Sequence, residues 1–276
     1  MMPLLTVPAL LLLAGCGALA FDERISVMTY TVPTEKVTEP IRLLHLSDLH
    51  SSRYGKDQKT LLSLVEGLTP DVVLLTGDIA DDRVSNRPAE CLTEALASRY
   101  PCYYVSGNHE LYTGRLDAIK DTFSSYGVTV LSGEGRIFTK GDTSLLLCGI
   151  DDPYAFPDKK RRLWEDQLAD VSAEVEKDRF SILLTHRPEL FDFYAETPFD
   201  LILAGHAHGG QVRLPGLLNG LYAPHQGWFP KKAGGDYLLR EGQRMIVSRG
   251  LSKHVRPRVF NRPECSLICL MPEETQ

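Results

Sequence analysis

The chain has 276 residues, of which 43% are hydrophobic and 24% are charged, as in an ordinary globular protein. This length suffices for one well-buried domain rather than two once an apolar leader is set aside, and the composition excludes a low-complexity chain. The net charge of −6 is uneven, because residues 205–264 contain 10 Lys and Arg against 3 Asp and Glu. That basic segment is compatible with an anionic substrate, with lipid headgroups, or with a merely solvated surface.

Residues 1–21 carry no charged side chain and are rich in Leu and Ala. Such a segment is typical of a signal-peptide core or of a slightly short membrane anchor. Leu13-Ala14-Gly15-Cys16 resembles a bacterial lipoprotein cleavage box, in which Cys16 would carry the lipid. No Lys or Arg precedes the apolar run, which removes the main orientation signal or indicates lost upstream sequence. We expect a protein associated with a membrane of the bacterial cell envelope, on a face that the sequence leaves open.

The six cysteines include no Cys-x-x-Cys pair and no spacing typical of a disulfide framework. Four of them lie in apolar runs, where a small buried thiol is the usual explanation: Cys102, Cys148, Cys265 and Cys269. We therefore expect no zinc site made of cysteines.

The chain alternates strands and helices after an N-terminal region. Residues 22–40 predict an exposed edge strand at Ile25–Val32 and a linker, and residues 41–270 predict one domain before a tail at 271–276. Strands are predicted at Ile41–Leu46, Val72–Leu75, Tyr103–Val105, Val128–Leu131, Arg136–Thr139, Leu145–Ile150, Ile182–Leu184, Leu201–Leu203, Tyr237–Leu239, Met245–Val247 and Ser266–Leu270. Helices are predicted at Leu61–Leu68, Pro88–Ser98, Leu116–Tyr126 and Trp164–Val175, and from about Pro188.

Polar side chains that bind divalent cations follow five of the predicted strands. The segments are Ser47–His50, Gly77–Asp81, Gly107–Glu110, Thr185-His186 and Gly205–His208. Each segment alone could be a turn or a helix cap. In a parallel α/β sheet, however, the carboxyl ends of the strands share one edge, so these side chains are expected to converge. Together they supply more ligands than one ion needs, which indicates a two-metal site and phosphoryl chemistry.

The set of segments resembles the calcineurin-like metallophosphoesterase family over Ile41 to His208. Its pattern is Asp-x-His, Gly-Asp-x-x-Asp, Gly-Asn-His-Glu/Asp, a single His and Gly-His-x-His, and every element is present here without substitution. The resemblance implies an α/β fold of four layers, α/β/β/α, with two β-sheets flanked by helices. It also implies ligands for two divalent metal ions, Mn, Zn or Fe: Asp48, His50 and His208 for one, Asn108, His186 and His206 for the other, and Asp78 for both.

The resemblance places His109 next to the substrate rather than on a metal. Two divalent ions contribute +4 and the two aspartates only −2, so the site stays positive and attracts phosphate. We expect a metal-bridging hydroxide to attack phosphorus in line while His109 protonates or stabilises the departing oxygen. Asp81 is expected either to orient a ligand histidine or to cap a helix. Among the other histidines, His45 is expected in the core. His225 and His254 lie in the basic segment and are expected either to touch substrate or, as is commoner for lone loop histidines, to be simply exposed.

Three segments that are less specific than the metal motifs indicate the class of substrate. Gly205–Gln211, Ser248–Leu251 and Arg258–Glu264, together with the apolar leader, resemble membrane-associated bacterial phosphoesterases, including UDP-diacylglucosamine hydrolases of lipid A synthesis. The expected substrate is a membrane- or envelope-associated phosphodiester, pyrophosphate or phosphomonoester, lipid-linked in one interpretation. The alternatives are a nuclease, a soluble nucleotide phosphodiesterase and a metal-stabilised binding module without catalysis. A nucleic-acid partner is disfavoured by the acidic chain and its modest basic segment, and the oligomeric state is open.

Overall fold

Short runs of Val, Ile and Leu form two six-stranded β-sheets in the computed structural model, which describes residues 17, 19–156 and 161–273. Most of these strands are apolar on both faces, which is typical of parallel strands covered on both sides. The predicted architecture of two sheets flanked by helices is confirmed.

The first sheet has the order β1-β14-β2-β3-β4-β5, and every neighbouring pair is parallel except β14 with β2. Its strands are β1 (Ser26–Thr34), β2 (Ile41–Leu46), β3 (Val72–Thr76), β4 (Cys102–Val105), β5 (Thr129–Val130) and β14 (Glu264–Pro272). The predicted edge strand is confirmed as β1, which pairs along its whole length with β14. Strand β14 continues through Pro272, two residues into the segment that was expected to be a tail.

The second sheet has the order β12-β13-β9-β8-β7-β6, with parallel pairing from β13 to β7 and antiparallel pairing at both edges. Its strands are β6 (Glu134–Lys140), β7 (Thr143–Gly149), β8 (Phe180–Leu184), β9 (Leu201–Ala204), β12 (Gly235–Arg240) and β13 (Gln243–Val247). A two-stranded hairpin, β10 (Tyr222–Ala223) with β11 (Gly227–Trp228), lies between β9 and β12 in the chain.

Helices cover the outer faces of the sheets. Over the residues for which the structure gives positions, they are α1 (Lys59–Leu68), α2 (Arg87–Ala97), α3 (Asn108–Tyr112), α4 (Leu116–Ser125), α5 (Arg161–Ala173) and α6 (Phe191–Ala195). The helix predicted from Pro188 begins as a 3₁₀ turn, Pro188–Leu190, and continues as α6. Short α3 begins directly after β4, so the segment predicted as a metal motif is itself a helical turn.

Three apolar clusters account for the layered packing. The central cluster fills the space between the sheets with side chains from both, such as Leu74 and Leu203. A second cluster packs the outer face of the first sheet against α1, α2 and α4, and a third packs the outer face of the second sheet against α5 and α6. The inner strands, such as β3, β4, β7 and β9, therefore contribute alternate residues to two clusters, which fixes their register and the position of the loops after them.

Several predictions outside the site can also be compared with the structure. His45 is fully buried in β2, as predicted, with Nε2 2.7 Å from the Thr76 hydroxyl oxygen. The cysteines from Cys91 onward are free thiols; Cys102, Cys148 and Cys265 are buried, whereas Cys269 is half-buried and was wrongly expected inside.

The predicted leader lies almost entirely outside the described residues, and so does Cys16. Within the part of the chain that is described, none of the helices combines the length and the apolar character that a membrane crossing requires.

The layered packing predicts that truncating a side chain lowers the free energy of unfolding most where that side chain is buried between the sheets. Leu203→Ala, which removes a fully buried side chain, is expected to lower the free energy of unfolding by about 2–5 kcal/mol. Leu238→Ala is the matched control, because that leucine is exposed on edge strand β12, and it should change stability by no more than about 0.5 kcal/mol. Denaturant unfolding measures both, and equal losses would contradict the assignment of the central core.

Candidate metal centre

The seven predicted metal ligands converge at one edge of the two sheets. They lie in the loops after β2, β3, β8 and β9 and in the first turn of α3 after β4. All are buried: Asp48, His50, Asp78, Asn108, His186, His206 and His208. Residues up to 160 positions apart in the chain thus meet because parallel strands deliver their carboxyl ends to a common edge.

Two groups of three ligand atoms form within this cluster, each with all its atoms within 4.8 Å of one another. One group is Asp48, His50 and His208, and the other is Asp78, His186 and His206. Asp78 lies between them, because its Oδ2 is 3.2 Å from His186 Nε2 and 3.6 Å from His50 Nε2. The structure therefore brings six of the seven predicted ligands into two groups of three, and Asn108, which belongs to neither group, is buried in the first turn of α3.

Five polar atoms of the ligand residues are buried and have no hydrogen-bond partner among the described residues: His50 Nε2, Asp78 Oδ2, Asn108 Oδ1, His186 Nε2 and His208 Nδ1. A buried polar atom without a partner is costly, so such atoms are rare unless something else satisfies them. Imidazole nitrogens with carboxylate and amide oxygens form a donor set that suits Mn, Fe or Zn. These side chains therefore fit the divalent metals that the family uses.

Hydrogen bonds on the far ring nitrogens fix two of the histidines for ligation. His186 Nδ1 donates to the Thr76 carbonyl oxygen at 2.7 Å, and His50 Nδ1 is 2.8 Å from Asp81 Oδ2. With the proton held on Nδ1, the Nε2 lone pair of each ring faces the cluster. Asp81 is therefore placed to orient the ring of His50.

The backbone carries strain at the ligand positions. Asp48, His50, Asp78, His206 and His208 all have left-handed φ values, between 47° and 64°. Such conformations cost about 1–3 kcal/mol each for residues other than glycine and persist only where surrounding contacts impose them. One such contact is the His206 N–H, which donates to both Asp48 carboxylate oxygens at 3.0 and 3.1 Å.

Glu110 lies beneath the ligands and received no role from the sequence. Its Oε1 accepts hydrogen bonds from the backbone N–H groups of Ile79 and Ala80 at 2.7 and 2.9 Å. Its Oε2 accepts from the backbone N–H groups of Asp78 and Gly107, each at 2.9 Å. Burial and the charge of Asp78 raise the pKa of Glu110 to about 7. The carboxylate thus ties the loop after β3 to the start of α3.

Two glycines permit this close approach. Gly77 has φ +81°, and a Cβ there would lie 2.7 Å from the Gly107 backbone. A Cβ on Gly107 would lie 2.3 Å from Asp78 Oδ1. The glycines of the two motifs are therefore required by contact between the loops, as well as by turn geometry.

The carboxylates and imidazoles set one another's protonation. Burial opposes ionisation of Asp78, but His186 and His50 hold the pKa of Asp78 well below its ordinary value. Burial also opposes protonation of His186, yet the Asp78 and Asp48 carboxylates raise the pKa of His186 to about 10. His206 shows the opposite shift, because burial and the adjacent Arg187 guanidinium keep its pKa far below the ordinary histidine value.

His109 stands at the mouth of the cluster and is partly exposed. Its backbone N–H donates to Asp78 Oδ1 at 2.8 Å, and its ring Nδ1 is 2.6 Å from Asp82 Oδ1. The ring packs edge-on against His50 with 4.4 Å between centroids. His109 is therefore held beside the ligands with Nδ1 occupied by a carboxylate, an arrangement in which Asp82 was not anticipated from the sequence.

A second cluster beside the ligands escaped the sequence analysis. Arg187, almost fully buried, contacts both Asp152 carboxylate oxygens, and its Nη1 is 2.9 Å from His206 Nε2 and 2.9 Å from His225 Nδ1. His225 was expected either to touch substrate or to be a simply exposed loop residue, and the hairpin turn brings its Nδ1 within 3.0 Å of His206 Nε2. His254 is exposed, as expected.

A cavity of about 340 Å³ opens next to this second cluster. Its walls are mainly apolar and aromatic, from Tyr154, Phe156, Trp164 and Leu190, and its polar groups come from Arg187, Glu189 and His225. The Arg187 guanidinium also lies over the Tyr154 ring, 4.5 Å from the centroid. The cavity therefore shares Arg187 and His225 with the cluster that contacts His206.

Glu110→Gln tests the carboxylate under the site. A glutamine keeps the size but presents an NH₂ group to two of the four N–H donors, and each buried donor left without an acceptor costs about 1–3 kcal/mol. We expect unfolding to become easier by about 2–5 kcal/mol, with weaker metal binding. Glu94→Gln, on the exposed face of α2, is the control and should leave both unchanged. Thermal unfolding and calorimetric metal titration measure the two effects, and full metal affinity in Glu110→Gln would refute this role.

Metal binding is predicted to release protons. A ligand imidazole must be neutral, whereas the raised pKa of His186 keeps that ring protonated at pH 7.5. Chelator-treated protein should therefore release about one proton or more per chain on binding Mn²⁺, and its affinity should rise with pH up to about 10. Calorimetry at pH 7.5 in two buffers of different ionisation enthalpy counts the protons, with metal titrated into buffer alone as the control. Identical heats in the two buffers would contradict the prediction.

Comparisons with known proteins agree with this site. Residues 41–210 match the family model of the calcineurin-like phosphoesterases. An uncharacterized metallophosphoesterase of Aquifex aeolicus is 29% identical over 259 residues, covering 89% of this chain and 92% of the relative. Phosphodiesterase YaeI of Escherichia coli is 28% identical over 239 residues, covering 84% and 83%.

Among solved structures, phosphopantetheinyl hydrolase from Mycobacterium tuberculosis superposes with a TM-score of 0.51 at 14% identity, over 87% of this chain and 99% of that chain. At that identity the likeness concerns the fold alone. The family match covers more than half of the chain and includes all seven predicted ligands. The chain therefore belongs to the calcineurin-like phosphoesterase family and is a hydrolase that acts on phosphoester bonds.

Proposed function

We propose that the protein hydrolyses phosphodiesters with two divalent ions, held by the two ligand groups on either side of Asp78. The observation that carries this proposal is the set of five buried atoms of the ligand residues without a hydrogen-bond partner, among which His186 Nε2 and His50 Nε2 lie 3.2 and 3.6 Å from Asp78 Oδ2. Two ions bound there would supply Lewis-acid activation of the phosphoryl oxygens and a water of lowered pKa.

His109 is the group of this chain that is placed to handle the leaving oxygen. Its Nδ1 is 2.6 Å from Asp82 Oδ1, which leaves Nε2 as the ring nitrogen available to the substrate. A histidine so oriented can donate a proton to an alkoxide as the phosphorus–oxygen bond breaks. Asp82 acts as a positioning residue in this scheme, and Asp81 does the same for His50.

The preference for diesters is supported by the relative from Escherichia coli, which is named a phosphodiesterase. The cavity beside His206 supports a substrate with an apolar group on the phosphate, because its walls are mainly apolar and aromatic. The apolar leader and the softer motifs support an envelope location and a lipid-linked ester, as in the UDP-diacylglucosamine hydrolases.

Hydrolysis of paired aryl esters tests the dinuclear diesterase. With Mn²⁺ or Zn²⁺, the full chain should cleave bis(p-nitrophenyl) phosphate faster than p-nitrophenyl phosphate, and chelator should stop both reactions. Asp78→Ala should abolish metal loading and turnover together, because that carboxylate contacts both ligand groups. Turnover by Asp78→Ala, or an enzyme that needs only one ion per chain, would overturn the proposal.

His109→Ala separates catalysis from metal binding. The variant should keep the bound metal of the parent enzyme but lose about 10²–10⁴-fold in kcat, most for esters with poor leaving groups. Asp82→Asn should show a smaller loss with the same leaving-group trend, since it acts through the orientation of His109. Asp117→Asn, an exposed carboxylate on α4, serves as the control. A loss that is equal for good and poor leaving groups would rule out proton donation.

A further inference from the structure

The hairpin β10–β11 and the turn before it expose an unusual share of large apolar side chains. Five of the fifteen that are exposed in the described chain lie within residues 214–229: Leu214, Leu217, Tyr222, Trp228 and Phe229. Leu217 is 83% exposed, and Trp228 and Phe229 are about two-thirds exposed. Single exposed apolar residues are ordinary, but a cluster of this kind marks an interaction surface.

The polypeptide around this surface has a uniform charge. Residues 201–235 contain no Asp or Glu, while Arg213, Lys231 and Lys232 are basic. Lys231 is exposed and its Nζ lies 6.0 Å from the centroid of the Phe191 ring. Lys232 is held more closely, over the rings of Phe191 and Tyr237 at 4.9 and 4.4 Å. Aromatic and aliphatic side chains flanked by cations, without intervening carboxylates, are complementary to the interface of an anionic bilayer.

The apolar N-terminal segment enters the structure close to the same segment. The Phe260 N–H donates to the Ala20 carbonyl oxygen at 2.7 Å, and the adjacent Val259 pairs with Val212 in an isolated β-bridge. Leu19 and Phe21 are themselves exposed. Ala20 is thus tied to Phe260, next to the bridge that holds Val212 before the apolar turn.

The hairpin is also fixed to the metal centre. His225 occupies its turn and contacts His206 and Arg187, and Tyr222 packs edge-on against Trp228 with 5.6 Å between ring centroids. The exposed aromatic side chains therefore belong to a hairpin whose turn contacts the ligand residue His206.

We propose that this surface, defined as Leu214, Leu217, Tyr222, Trp228, Phe229 and Lys231, docks on an anionic phospholipid bilayer and sets the active site at the lipid headgroups. The inference deepens the proposed function, because docking would deliver a phosphodiester carried by a lipid to the aromatic cavity beside His206. Docking itself requires no turnover, so the two can be tested separately.

The two tryptophans make the test direct. Trp228 is 67% exposed and Trp164 is 1% exposed, and the chain has no other tryptophan. The full chain is mixed with vesicles of equimolar phosphatidylglycerol and phosphatidylcholine, and sedimentation records binding. We expect tryptophan emission to shift to shorter wavelength and to be quenched by lipids brominated near the headgroup. Trp228→Phe, in which only buried Trp164 emits, should lose both responses while hydrolysing bis(p-nitrophenyl) phosphate normally.

Charge is tested by a matched pair of lysines. Lys231→Gln should lower the partition coefficient on anionic vesicles about fivefold, the effect of one cation at a charged surface. Lys177→Gln is the control, because that exposed lysine precedes β8 at the sheet edge opposite the metal centre and should change nothing. Equal effects of the two substitutions would overturn the charge complementarity.

Three results would overturn the proposal. Binding to vesicles without any change in Trp228 emission would mean that the N-terminal segment alone holds the membrane. Emission already at short wavelength without vesicles would mean that the surface is covered by residues 1–21 or by a second copy of the chain. Absence of vesicle binding would exclude lipid docking even if the soluble ester is hydrolysed, whereas docking without hydrolysis would refute only the proposed function.

Discussion

The Glu110 carboxylate is the contact on which the geometry of the metal centre depends. Four backbone N–H groups from two loops converge on its two oxygens, so the loops after β3 and β4 are held as one unit. Hydrogen bonds to a charged acceptor are stronger than those between neutral groups. Here they satisfy backbone N–H groups that are buried away from water. The price is a carboxylate whose pKa is raised to about 7 by burial and by Asp78.

That constraint explains how ligand residues can keep strained backbone conformations. Asp78 needs a left-handed φ of 52° to direct its carboxylate between the two ligand groups. The loop after β2 is held against the loop after β3, because the Asp48 and His50 N–H groups donate to the carbonyl oxygens of Gly77 and Asp78 at 3.0 and 2.8 Å. Asp48 in turn accepts the His206 N–H. Strain at each ligand is thus opposed by hydrogen bonds that begin at the Glu110 clamp.

The sequence predicted the ligand residues whose place depends on the end of a strand. It missed the contacts that depend on where separate loops and their side chains meet. Asp48, Asp78 and His186 could be placed together because each follows a buried apolar strand. Asp152 obeys the same rule, since Asp151-Asp152 follows the apolar run that ends β7, and that signal could have been used.

His225 carried no comparable signal. Its approach to His206 depends on a two-residue pairing, Tyr222 with Trp228 and Ala223 with Gly227, too short for any periodicity to reveal. Glu110 was visible as part of its motif, but its four bonds depend on where two separate loops meet, which the order of residues does not specify. For the same reason, the aromatic cavity could not be predicted from residues as distant as Tyr154 and Leu190.

Selectivity must come from the surroundings of the ligand set, because the ligands offer the same chemistry to any phosphoester. The residues around the ligand set differ between the side of His50 and the side of His206. Near His50, the neighbours are polar: Asp81, Asp82 and His109. Near His206, they are Arg187, His225 and an aromatic cavity. Because His225 also holds the exposed hairpin, a surface that enters lipid and a cavity that accepts hydrocarbon would meet at one histidine. This asymmetry favours a substrate whose phosphate has a polar substituent on one side and an apolar one on the other.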